Sequence, residues 1–269
     1  MRKALSVRGL RLAFIGALAG GVSAAEVAPR SLEEPWLLAS RLEFNQAYSA
    51  FAARKKLPQR TDGLGQAVTL LNVQPITEAN IDESERLLNA LVIESVSDDV
   101  GKWSLYYLGR SAQTHRLTPE PTLAKQHFRR LIELAPGHLA AQVAVNKLGL
   151  LIIYDPKDKR LPEHRIAEVE KLGANLSDSD GIRDFHLLIA RSRQFFKLPD
   201  GPTLDHLLAA EATGRLGLVS RSDVLVSAGM LAKHAGRASE ARRAFEMFLE
   251  AYPRDNRTLT VRRLLAELH

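Results

Sequence analysis

Residues 222–255 read SDVLVSAGMLAKHAGRASEARRAFEMFLEAYPRD. Leu225, Ala228-Gly229 and Ala232 recur at the spacing of one helical face. Ala241, Phe245 and Phe248-Leu249-Glu250 follow on a second helical face, and Pro253 ends it, because proline cannot donate the helical hydrogen bond. Gly236-Arg237 supplies the turn between them. Small residues let two helices approach closely, and Phe245 fills the volume beside them. The stretch therefore predicts a helical hairpin.

A second stretch follows the same template. Leu105, Leu108-Gly109 and Ala112 are followed by Ala124, Phe128, Leu131-Ile132-Glu133 and Pro136. The Ala-to-Phe-to-Pro spacing is identical in both. Gly109 to Ala124 is three residues longer than Gly229 to Ala241, and the extra length carries Pro119 and Pro121. These positions resemble the tetratricopeptide repeat, with Leu in place of the consensus Trp and Ala in place of the consensus Tyr. The resemblance implies an all-α, right-handed α-solenoid of antiparallel helix pairs, about twelve helices with no sheet. A generic bundle of Leu/Ala helices is the alternative.

The rest of the chain supports this reading by pattern. Composition is that of a globular chain, 45% hydrophobic, 25% charged and only 6% aromatic. Glu34 to Lys55 reads as one amphipathic helix, and Lys56 to Leu64, with Pro58 and Gly63, as a linker. Residues 65–98 read as a degenerate repeat with Pro75 in its first helix and Ser84, Leu88 and Leu91 on its second. Residues 138–153, 161–172, 181–197 and 202–213 continue the helix pairs. Leu259 to Leu268 caps the end, with Leu264, Leu265 and Leu268 inward and Arg257, Arg262 and Arg263 facing solvent. Glu240–Arg243 is expected as an i,i+3 pair. The expected organisation is 1–24, a signal peptide; 25–100, an N-terminal helical region; 101–155, a repeat unit and the next helix; 156–221, divergent pairs; and 222–269, the last unit and its cap.

Arg2, Lys3, Arg8 and Arg11 precede an apolar run from Leu12 to Val22, and small residues follow to Ala24 and Ala25. That is the pattern of a secretory signal peptide, cleaved after Ala24 or Ala25. The run is about half the ~20 residues needed to span a bilayer, so stable membrane insertion is not expected. Cleavage would lower the formal charge from +6 to +2, which removes most of the argument for a nucleic-acid partner. Cysteine is absent, so neither a disulfide nor a lipoprotein anchor is expected. Periplasmic export is expected, with secretion as the alternative.

The sequence carries no GxSxG elbow, HExxH helix, Walker loop or GxGxxG cradle, and neither catalytic residue, metal site nor cofactor is expected. Eight histidines are scattered and read as solvated positions. Asp178-Ser179-Asp180-Gly181 resembles part of a calcium loop, but Leu176 and Leu187 occupy its first and twelfth positions; capping is the better reading. Asp98-Asp99 likewise start a helix.

The expected function is a non-enzymatic scaffold that binds a protein or peptide. The resemblance places its ligand on the first helices of the hairpins. Trp103, Tyr106, Arg110 and Gln113 recur at i, i+3, i+7 and i+10, and Trp, Tyr and Arg are enriched at binding hot spots. Packing of that stripe against a neighbouring repeat is the alternative. The matching face at 222–255 carries Asp223, Val226, Met230 and Lys233. The family's carboxylate clamp is not expected, since Tyr107, Arg110, Ser227 and Met230 stand where its Asn side chains would be. An envelope enzyme acting on cell-wall polymer and a structural subunit of an envelope assembly are the rival expectations.

Overall fold

The computed structural model describes residues 34–54 and 59–268. The expected signal peptide lies outside the described residues. Those residues form thirteen α-helices, one π turn and no strand. The chain divides into two compact units, one running to Leu134 and the other from Ala135.

The first unit holds α1 (Glu34–Ser40), α2 (Phe44–Ala52), α3 (Arg60–Leu70), α4 (Glu78–Glu94), α5 (Asp99–Arg110), a π turn (Ser111–His115) and α6 (Pro121–Leu134). Each helix packs on the next, and α1 with α3 and α3 with α5 also touch, as in stacked hairpins. The second unit holds α7 (Leu139–Ile153), α8 (Pro162–Gly173), α9 (Ser179–Phe195), α10 (Asp200–Ala212), α11 (Leu218–His234), α12 (Ala238–Ala251) and α13 (Thr258–Ala266). Here too each helix packs on the next, and α7 also touches α9.

Both repeat hairpins use the same lock. A Cβ on Gly229 would lie 2.3 Å from Phe245, and a Cβ on Gly109 would lie 2.4 Å from Phe128. Each glycine thus admits the face of a fully buried ring against the helix backbone. Helices α6 and α12 stop one residue before Ala135-Pro136 and Tyr252-Pro253 respectively. Gly236 makes the turn with φ +72°, a left-handed conformation that glycine adopts without a Cβ clash. The segment expected as a degenerate repeat is helical in α3 and α4, but Pro75, expected within its first helix, lies in the connection between them. Ser84, Leu88 and Leu91 are buried, and Ser84 Oγ donates to the Ala67 carbonyl at 2.6 Å. Asp98 and Asp178 cap α5 and α9, accepting from Gly101 N at 2.8 Å and Gly181 N at 3.0 Å.

Four further local expectations are corrected. The helix expected from Glu34 to Lys55 is broken at Leu42, whose φ of +64° turns the chain between α1 and α2; this supplies the thirteenth helix. Gly63 is not in a linker but inside α3. Arg60 fixes that helix: its guanidinium donates to the Leu91 and Ser95 carbonyls at the end of α4, and to Asp98. Glu240 pairs with Arg237 at 2.7 Å, not with Arg243, because Arg237 sits one turn before it at the helix start. Arg257 does not simply face solvent. It joins Asp223, Asp255 and Ser222 and lies 5.3 Å from the centre of the Phe248 ring, so it ties the chain leading into α13 to α11 and α12.

The long connection after α5 contains the π turn. Arg116 N bonds back to Ser111 O at 3.2 Å, five residues away, and Glu120 N bonds to Ala112 O at 2.7 Å. Such a turn inserts one residue into the α-helical ladder.

Candidate functional site

The α5 stripe is built into the interior of its own unit. Trp103 and Tyr106 are each only 9% exposed. Their rings meet edge to face at 5.5 Å, and Tyr106 meets Tyr107 in the same way at 5.2 Å. Tyr106 also lies 6.0 Å from Phe128, the ring of the glycine lock. Burial pushes the phenols of both tyrosines above their ordinary value, Tyr107 strongly, with Arg110 partly opposing. Arg110 Nη1 donates to Gln113 Oε1 at 2.8 Å, so these two members of the stripe engage each other. A polar knot follows in the π turn. Ser111 Oγ donates to Glu85 at 2.7 Å, and Arg116 pairs with Glu85 and with Glu120. Beside it is a cleft of about 300 Å³ whose lining includes Glu78, Ile81, Asp82, Leu117 and Glu120.

The matching face of α11 is largely taken up by the end of its own unit. Asp223 accepts from Arg257 at 2.7 Å, and Lys233 pairs with Glu267. Val226 is half-buried, while Met230 remains 43% exposed. Of the residues expected to contact a partner, Met230 and Lys233 stand in the second unit and the α5 stripe in the first.

The most exposed aromatic side chain among the described residues is elsewhere. Phe195, at the end of α9, is 68% exposed. Lys197 adopts φ +53°, and Leu198 N bonds back to Arg193 O at 2.9 Å, so the chain leaves α9 abruptly after two phenylalanines. That is a left-handed helix end made with lysine where glycine is usual. Phe195 and Phe196 meet edge to face at 4.9 Å. Tyr154, at the end of α7, contacts both rings at 5.6 and 5.8 Å. Its hydroxyl is 2.9 Å from Ser192 Oγ. Arg165 of α8 lies 5.4 Å from the centre of the Phe196 ring while donating to the Asp155 carbonyl at 3.1 Å. Side chains at the ends of α7 and α9 and on α8 thus form an aromatic cluster in which Phe195 is the most exposed ring and Tyr154 is partly exposed. Leu150, one turn before Tyr154, is also exposed.

A second arrangement joins α8, α9 and α10. His186 Nδ1 and His206 Nδ1 are 2.8 Å apart, and His206 Nε2 lies 3.2 Å from Glu170 Oε1. If His206 donates from Nε2 to Glu170, its Nδ1 is the acceptor and His186 the donor. These two histidines are therefore not solvated singly, as expected; helices distant in sequence bring them together. Burial, first, holds both below the ordinary value of 6.5, and each ring's cationic neighbourhood adds to it: His206 beside His186, and Arg193 beside His206. Glu170 opposes the fall at His206. Between the depressed value and 6.5 the unfolded chain binds more protons than the folded one. The stabilisation is complete above 6.5 and is lost as pH falls through that window. Melting temperature should drop between pH 7.5 and 5.0. The His186→Asn/His206→Gln double variant should drop by less, and an equal drop in both proteins would refute the assignment. Asp158 and Asp255, held at about 2 by Arg160 and Arg257, titrate well below this range.

The geometry shows what the sequence could not. The histidines are twenty residues apart, and no pattern links them. The Phe195-Phe196 pair is visible in the sequence as two adjacent aromatics near a helix end, but nothing in the sequence shows which ring faces outward. Among the described residues no group of three or more His, Cys, Asp or Glu side chains is placed to hold a metal ion, and no helix is long and apolar enough to cross a membrane. No protein-family model, curated protein or solved structure matches this chain.

Proposed function

We propose that this chain is a non-enzymatic, exported scaffold of tetratricopeptide-like, right-handed helix pairs that binds a protein or peptide partner, in the periplasm or beyond. One observation carries the reading: the aromatic cluster of Tyr154, Phe195 and Phe196 presents a mostly exposed phenylalanine at the ends of α7 and α9. Large rigid side chains lose little conformational entropy on binding, and exposed apolar patches of this kind mark interaction surfaces. The docking role in this proposal passes from Trp103 and Tyr106, which are committed to the interior of their unit, to Phe195 and its neighbours. Met230 remains available as a secondary apolar contact.

Capture from a native envelope extract tests this. Phe195→Ala should abolish recovery of partners seen with the wild-type chain while lowering the melting temperature only slightly, since the side chain is mostly exposed and loses only its contacts to Phe196 and Tyr154. Undiminished recovery by the folded variant would sink the assignment.

A second reading, an envelope enzyme acting on cell-wall polymer, is favoured by the Glu170–His206–His186 chain. Neutral imidazoles oriented by a carboxylate can accept protons near neutral pH. Hydrolysis of peptidoglycan by the purified chain, lost with Glu170→Gln, would establish it over the scaffold.

A further inference from the structure

The charge on α9 beside Phe195 is basic, while Asp155 and Asp158 follow Tyr154. From Phe185 to Pro199 the chain carries Arg191, Arg193 and Lys197 and no carboxylate. Arg191 is exposed and stands one helical turn before Phe195, on the same face of α9. Lys197 is exposed two residues after it. Neither Arg191 nor Lys197 forms an ion pair among those identified between described residues. Elsewhere in the second unit Arg160, Arg183, Arg215, Arg221, Arg237 and Arg257 are matched with Asp or Glu, while Arg243, Arg254, Arg262 and Arg263 near its C-terminal end are not among the identified ion pairs. Arg191 and Lys197 are thus two exposed cations flanking the outward aromatic ring.

Resting on the scaffold reading above, we infer that this surface takes an acidic segment of a partner protein carrying an aromatic or aliphatic anchor residue. The anchor packs on Phe195 and Tyr154, beside Leu150, and carboxylates on either side of it meet Arg191 and Lys197. Apolar contact supplies the area, and the two cations select the sign of the partner. An anionic lipid surface offers the same charge. It fits less well, because Asp155 directly follows Tyr154 and Asp158 lies in the same turn, where a plane of headgroups would cover both. A narrow peptide can run along α9 and avoid them.

The test uses the full chain and fluorescein-labelled peptides read by anisotropy. The probe is acetyl-Glu-Asp-Leu-Phe-Asp-Glu-amide. Its counterparts replace the four acids by Lys, or the Leu-Phe pair by Ala-Ala. The acidic probe should bind and weaken as salt is raised, and the other two should not bind. Phe195→Ala should weaken the acidic probe by about tenfold or more. Arg191→Glu with Lys197→Glu should do the same and allow the Lys counterpart to bind. Circular dichroism should show both variants folded, with Phe195→Ala melting only slightly lower because it loses the contacts to Phe196 and Tyr154. Equal binding of the Lys counterpart to the wild-type chain, or an acidic probe indifferent to the variants, would overturn the inference. So would failure of the acidic probe to bind, or Phe195-dependent binding to phosphatidylglycerol vesicles in place of the peptide. Loss of partner capture with Phe195→Ala would survive any of the peptide failures, so the scaffold reading is judged separately.

Discussion

Replacing Gln142 by Leu should cost the second unit about 3 kcal/mol or more in denaturant unfolding, although glutamine is nominally a surface residue. Gln142 is almost fully buried in α7, and its amide is used to capacity. Its Nε2 donates to the Pro136 carbonyl at 2.6 Å and the Asn175 carbonyl at 3.1 Å. Its Oε1 accepts from Ser177 N at 2.7 Å and Asp178 N at 3.2 Å. One side chain thus satisfies four backbone groups of two segments, the one entering α7 and the one entering α9. Leucine keeps the volume but removes all four part-buried hydrogen bonds, each worth about 0.5–1.5 kcal/mol net. Gln142→Glu separates the two halves of the amide. Its carboxylate still accepts from Ser177 and Asp178 but faces two carbonyl oxygens it cannot bond. Burial should raise its pKa above the unfolded value, so this variant should recover stability as pH falls towards 5, where a protonated oxygen can donate. A Leu variant as stable as wild type, or a Glu variant that weakens on acidification relative to wild type, would reject this account.

The glycine locks provide the second large effect. In an exposed helix, Gly→Ala gains about 1 kcal/mol in helix propensity. At Gly229 the sign should reverse, with a loss of about 1–3 kcal/mol, because the new Cβ would lie 2.3 Å from Phe245. Phe245→Ala should cost about 3–5 kcal/mol by opening a cavity. Combining Gly229→Ala with Phe245→Leu should cost less than the sum of the separate changes, since the smaller side chain vacates the space the methyl needs. Additive losses would mean that the two positions do not meet as described. The same cycle at Gly109 and Phe128 should behave alike, because the geometry there is nearly identical, 2.4 Å for the equivalent contact.

These two predictions differ in how far the sequence foretells them. The glycine lock is legible in the pattern, because a glycine four residues after Leu105 and Leu225 and a phenylalanine four residues after Ala124 and Ala241 recur in both hairpins, and a small residue opposite a large one has a direct packing meaning. Helix ends at Pro136 and Pro253 and caps at Asp98 and Asp178 are legible for the same reason: each depends on a local stereochemical property of one residue. Gln142 is not legible, since its four partners are backbone groups and leave no side-chain pattern. The break at Leu42 is hidden too, because a leucine at positive φ is imposed by the packing of α1 and α2 and not by its own preference. The α5 stripe shows a further limit. A helical wheel identifies Trp103 and Tyr106 as sharing a face, but it does not say whether that face meets solvent or the rest of its unit. Phe195 emerges as the exposed ring only once α7, α8 and α9 are seen to hold Tyr154, Arg165 and Phe196 around it.

The π turn at Ser111–His115 bears on how the length of this repeat can change. A π turn is the footprint of one surplus residue absorbed within a helix, without disturbing the packing on either side. Ala112 within it and Phe128 after it both remain at the interior positions that their counterparts Ala232 and Phe245 occupy in the shorter hairpin. Removing the exposed Thr114 would convert the widened turn to an ordinary α turn and shift the excess into a shorter loop. Insertions and deletions can therefore be taken up at this connection while the glycine lock stays in register, so repeat length and repeat packing are separable properties of the hairpin.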